Sequence, residues 1–195
     1  KWWEASSTMS TLKVDTIQKT NGSAPTLADL SINHTGSVLQ VQYFQLTTSQ
    51  TESISSGHSD QAISNFTVNI TPKSTSSIIK LEAQLMFETA NAPWNTMFFF
   101  YRDSTKLAHS GSSGSRKIGI VVPTIGYYDD ESQSTAEMAH LGYFDSPSST
   151  SAIAYKLGIN TSSTNNVFIN RTVDDGDSAG YERGVSWMSA TEIAG

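Results

Sequence analysis

Apolar and polar residues alternate with a period of two along most of this chain, and no long stretch carries the three- and four-residue spacing of an amphipathic helix. The clearest alternation lies in residues 63–87. There Phe66, Val68 and Ile70 alternate with Thr67 and Asn69, and Ile79, Leu81, Ala83, Leu85 and Phe87 alternate with Lys80, Glu82 and Gln84. The connection, 71–77, is rich in Ser and Thr and carries Pro72, whose ring presets the φ of a β-turn. Two half-buried strands joined as a hairpin are the prediction.

The same pattern predicts strands at Val38–Leu46 and at 117–122, 136–144, 153–159, 167–169 and 185–193, with a short return at 106–109. The polar stretches 47–60, 126–134 and 173–184 read as loops. In 94–101, Trp94, Phe98 and Phe100 take one face of a strand and Met97, Phe99 and Tyr101 take the other. A strand apolar on both faces is either central in a sandwich or covered on its back by a second subunit. Upstream, Leu12 and Val14 alternate with Lys13 and Asp15 as a short strand, Asn21-Gly22 marks a turn, and 26–30 reads as one helical turn capped by Thr26. Leu12, Val14, Ile17, Leu27 and Leu30 are too few to form a core of their own, which points to contact with neighbouring chains. The whole predicts an all-β protein. Its head, 36–195, is an antiparallel β-sandwich of jelly-roll type, preceded over 1–35 by a short extended attachment and trimerisation segment.

Composition agrees with that class. The 195 residues include 31 Ser and 22 Thr, and only 15% are charged, as befits strands joined by many turns. A net charge of −6 argues against nucleic acid, whose phosphates need a basic surface. The absence of cysteine removes disulfides, thiolate nucleophiles and cysteine metal sites. No run approaches the about 18 apolar residues of a spanning helix, so membrane insertion is not expected. The chain begins at Lys1 rather than methionine and reads as processed or as part of a longer protein.

Little in the sequence points to catalysis, and no cofactor is implied. There is no Gly-x-Ser-x-Gly elbow, phosphate loop or dinucleotide fingerprint, and His34, His58, His109 and His140 lie far apart. Two acidic loops stand out, one with Asp129, Asp130 and Glu131, the other with Asp174, Asp175, Gly176 and Asp177. Closely spaced carboxylates can wrap a cation or act in pairs on a glycosidic bond, so a polysaccharide-degrading enzyme is an alternative. The calcium-loop glutamate and flanking helices are missing, however. Tyr127, Tyr128, Tyr143 and Tyr181 beside these carboxylates compose a more coherent candidate: aromatic faces stack on sugar rings while carboxylates accept from sugar hydroxyls. The alternative for these tyrosines is that they brace loops and pack in strands.

Three pieces of the chain resemble phage tail-fibre proteins, in particular receptor-binding fibres of phages of cyanobacteria and other aquatic bacteria. They are residues 9–18 (Met-Ser-Thr-Leu-Lys-Val-Asp-Thr-Ile-Gln) with Asn21-Gly22 and Ala24-Pro25-Thr26-Leu27, residues 68–81 with their Ile-Thr-Pro and Ser-rich turn, and Arg183-Gly184-Val185-Ser186 with Glu192-Ile193-Ala194. The resemblance implies a homotrimeric fibre end on the exterior of a virion, without enzymatic activity. Its N-terminal segment would dock on other tail proteins and its head would bind a bacterial surface polysaccharide. A structural adaptor or head-decoration role is the alternative within the virion. In a trimer, Met97, Phe99 and Tyr101 would face a neighbouring subunit together with the five upstream apolar residues.

Overall fold

A computed structural model gives the fold and describes residues 16–25, 35–55, 57, 59–90, 96–111, 114–123 and 134–195. The strand expected around Leu12 and Val14, the turn at 26–30 and the contact residues Leu12, Val14, Leu27 and Leu30 lie outside these residues. Ile17 lies within them and is exposed. Thr35–Gly195 forms one compact unit.

Among the described residues that unit holds ten strands and no helix: β1 (Val38–Leu46), β2 (Gln50–Ile54), β3 (Gln61–Ile70), β4 (Ile78–Thr89), β5 (Met97–Arg102), β6 (Thr105–Leu107), β7 (Glu137–Asp145), β8 (Ile153–Asn160), β9 (Asn165–Ile169) and β10 (Ser186–Ile193). A six-stranded sheet runs β1-β10-β4-β9-β2, with β7 on the other side of β4, and packs on a four-stranded sheet of order β3-β8-β5-β6. Every pairing is antiparallel. The pairs β1–β10, β2–β9, β3–β8, β4–β7 and β5–β6 nest inside one another. One long two-stranded ribbon, turned back at β5–β6 and rolled over, is the jelly-roll sandwich that the alternation predicts.

The inward residues of both sheets fill one core. Phe66, Val68 and Ile70 of β3 meet it from one side and Ile79, Leu81 and Leu85 of β4 from the other. Phe87 and Phe98 touch edge to face, ring centroids 5.1 Å apart, across the two sheets. Each large side chain so buried contributes about 1.5–3 kcal/mol before chain entropy is subtracted.

Residues 63–87 are not a hairpin. β3 and β4 belong to different sheets, so the connection 71–77 is an arch that turns the corner of the sandwich. Both strands need an apolar partner face, and each finds one across the core: β3 lies against β1 and β10, and the end of β4 lies against β5, where Phe87 meets Phe98. The arch is held by Glu192, which is wholly buried. Its carboxylate accepts from Lys73 N and Ser77 Oγ, both at 2.6 Å, and from Gln40 Nε2, also at 2.6 Å. Desolvation works to raise this carboxyl, but the bonds from Ser77, Gln40 and Lys73 outweigh it and hold it below the ordinary glutamate range.

Two further expectations are corrected. The stretch 47–60 is not all loop, because β2 occupies its middle. Its inward position is taken by Glu52, which accepts from Gln61 Nε2 at 2.7 Å and Ser64 N at 3.1 Å. A carboxylate at a core-facing site erases the apolar alternation. Residues 117–122 make only a bridge, Val121 to Phe98, rather than a strand.

The back of β5 is covered by the chain itself. Phe99 is wholly buried, its ring lying over Gly158 of β8, where even a built Cβ would come within 2.3 Å of ring carbon. Tyr101 meets that ring edge-on at 5.1 Å and Lys106 Nζ sits 4.0 Å from its centre. Met97 is likewise packed by Gly119. Phe99 therefore needs no second subunit to leave water, and Met97 and Tyr101 are half-buried beside it. Several exposed apolar side chains lie instead on the outer face of the larger sheet. Val41, Thr191, Lys80 and Phe144 form one cross-strand row there, with Val41 52% and Phe144 64% exposed. Tyr43 in the next row is 77% exposed.

Candidate functional site

Thr135, just after the first acidic stretch, and Val173, at the start of the second, share one anchor. Glu88, at the end of β4, is wholly buried, so its charge must be met by hydrogen bonds. Its carboxylate accepts from the Thr135 amide at 2.7 Å, from the Thr135 hydroxyl, and from the Val173 amide at 2.6 Å. One carboxylate thus roots the end of the first loop and the start of the second. Ser134 Oγ adds a 2.7 Å bond to Glu182 Oε2 between them. Tyr127, Tyr128, Asp129 and Asp130 lie outside the described residues.

Within the second loop Asp174 and Asp175 are already engaged. Asp175 accepts from Arg183 Nη2 at 2.8 Å and Nε at 3.0 Å and from Arg171 Nη1 at 3.0 Å. The Arg183 bond leads, with Arg171 adding to it, in holding this carboxyl below the usual aspartate range. Arg171 in turn lies 4.3 Å from the centre of the Phe168 ring. Asp174 accepts from Tyr181 OH at 2.8 Å, which raises the phenol above its ordinary pKa. Asp174, Asp175 and Tyr181 are therefore internally paired on the surface loop that also carries Asp177. A shallow hollow of about 370 Å³ is lined by Asp175, Asp177, Tyr181 and Arg183. Among the described residues no group of three or more His, Asp or Glu side chains is placed to hold a metal ion.

A larger cavity, about 630 Å³, opens elsewhere, lined by Asp60, Lys106, His109, Arg116, Lys117, Tyr143 and Asn160 among others. Asp60 organises its wall. It accepts from Lys106 Nζ at 2.9 Å and from Asn160 Nδ2 at 2.8 Å. Since the Asn160 amide nitrogen must face that carboxylate, its Oδ1 points away, and it is buried without a hydrogen bond. The Lys117 ammonium is also shielded from water and has no hydrogen-bond partner. Burial pushes its pKa below the ordinary lysine value, Lys106 adds to that, and Asp60 opposes it.

Sequence reasoning placed Tyr143 in a strand and found it; it packs against the core and lines this cavity. It missed Asp60, Lys106, Lys117 and Asn160, because they come from four separate stretches with no shared motif. The one available signal was Lys117 following the Gly/Ser-rich run 111–115.

No protein-family model and no curated protein matches the chain. Among solved structures it is similar to the infectious bursal disease virus VP2 subviral particle, at 15% identity and a TM-score of 0.36, over 80% of this chain and 42% of that one.

Proposed function

We propose that this protein is a virion component of the fibre type, a homotrimer whose β-sandwich head attaches the particle to its host by binding a surface glycan without cleaving it. The observation that carries the binding part is the cavity of about 630 Å³, a size within the about 300–1,000 Å³ typical of small-molecule sites. It combines one aromatic side chain, Tyr143, with charged and amide groups that suit sugar hydroxyls. Support for the fibre part comes from the sequence resemblance, two pieces of which meet in space. Ser77 of the arch bonds Glu192, and Ile78 pairs with Ile193. The acidic loop at 173–184 favours binding over hydrolysis, since two arginines hold Asp175 and Tyr181 holds Asp174. The trimer part draws on the resemblance and on Val41, Tyr43 and Phe144, which are available on the outer face of the larger sheet.

The test is incubation with purified host lipopolysaccharide and capsule, reading both retention and polymer length. Saturable retention with unchanged length is expected. Chain shortening would mean an enzyme, and neither effect would mean an adaptor or decoration protein, for which the exposed sheet face is suited. Sedimentation equilibrium should return three times the 21.1 kDa chain mass, and a 21.1 kDa particle would remove the trimer from the reading.

A further inference from the structure

We propose that the cavity bounded by Lys106, Arg116, Lys117 and Asn160 receives the carboxylate of an acidic sugar residue, a uronic acid unit of a polysaccharide; this deepens, and rests on, the glycan-binding reading. Charge is the first argument. The chain as a whole is −6, yet among the described residues the cavity lining holds Lys106, Arg116 and Lys117 against the carboxylate of Asp60. That local excess of basic side chains favours an anionic group there.

The second argument is the pair of unmet buried atoms. A shielded ammonium with no partner is costly, and so is an amide oxygen with none. Their needs are complementary: Lys117 Nζ lacks an acceptor, and Asn160 Oδ1 lacks a donor. A uronic acid unit carries both, a carboxylate and adjacent hydroxyls. Lys117 is a flexible side chain, and turning its ammonium toward a seated carboxylate restores the hydrogen bonds that burial removed. Asp60 acts against a more highly charged anion. Its carboxylate stands in the same wall, so a singly charged carboxylate meets less repulsion than a sugar phosphate, which carries about −1.5 to −2.

Calorimetric titration of the full chain with a galacturonic acid trimer, its methyl ester and glucose 6-phosphate, at low and high salt, tests this. The acid is expected to bind at least about tenfold tighter than the ester, and more weakly as salt rises. Lys117→Met should weaken acid binding about tenfold, while Lys117→Arg should retain it. Thermal unfolding guards the comparison, because removing an unpaired buried ammonium should leave the melting temperature unchanged or higher. Equal binding of acid and ester, unaltered binding by Lys117→Met, or preference for glucose 6-phosphate would each overturn the assignment. Binding of neutral host glycan without the acid would sink this inference alone; absence of all glycan binding would sink the wider reading with it.

Discussion

Replacing Glu192 by Gln tests whether a single carboxylate fastens the arch between the two sheets. In the native chain Oε1 takes the Lys73 amide and the Ser77 hydroxyl, and Oε2 takes Gln40 Nε2. A glutamine can keep its oxygen on the first two, now as neutral bonds. Its amide nitrogen then faces Gln40 Nε2, and Gln40 cannot turn over without losing its 2.7 Å bond to Thr71 O. One charge-assisted bond is lost and two are weakened, each change being about 1 kcal/mol, for a total of about 2–3 kcal/mol. For a domain of this size that lowers the melting temperature by about 4–12 °C. The pH dependence fixes the sign independently. The folded carboxyl lies below its ordinary value, so its contribution is complete above an unfolded pKa of about 4.3 and is lost as pH falls through the folded value. Urea unfolding of both proteins at neutral pH and near pH 3 should therefore give a gap that narrows in acid. A neutral-pH difference under about 0.5 kcal/mol, or a gap that stays constant with pH, would refute the reasoning.

Phe99→Ala removes a wholly buried ring from the back of β5 and should cost about 3–5 kcal/mol in the isolated chain, read by denaturant unfolding at two protein concentrations. A cost that appears only at concentrations where chains associate would restore a subunit contact at Phe99. Glu88→Gln should loosen the roots of both acidic loops, raising amide exchange at Thr135 and Val173 by about tenfold while β10 stays protected. Unchanged exchange at those two amides would show that Glu88 does not anchor them.

The alternation of residues 63–87 revealed two strands and which face of each is buried, but not the partner of either. Period two specifies a face; it says nothing about which sheet the strand joins, and here burial was satisfied across the core rather than side by side. The inward carboxylates were illegible for the opposite reason. Glu52, Glu88 and Glu192 occupy buried positions that a pattern of apolar residues assigns to the surface, and only their donors, distant in sequence, make them tolerable. Phe99 was visible as an apolar residue in need of cover. That its cover is the bare backbone of Gly158 depends on β5 and β8 being neighbours, which no local feature encodes. The cavity was the least legible part, since Asp60, Lys106, Lys117 and Asn160 become neighbours only when the ribbon is rolled.

The nested pairing of the strands also sets an order of events. Of the nested pairs, only β5–β6 is closed by a tight turn, at Asp103 and Ser104, and each pair outside it closes a longer loop until β1 meets β10. Lengthening a loop adds only about 0.6 kcal/mol per doubling at equilibrium, but pairings so distant in sequence form slowly. During synthesis, the first strand of the sandwich to be made waits for the last. Until β10 arrives, β4 keeps one open edge and β1 has no ladder at all, so the interval before completion is when this chain is most open to pairing with the wrong partner.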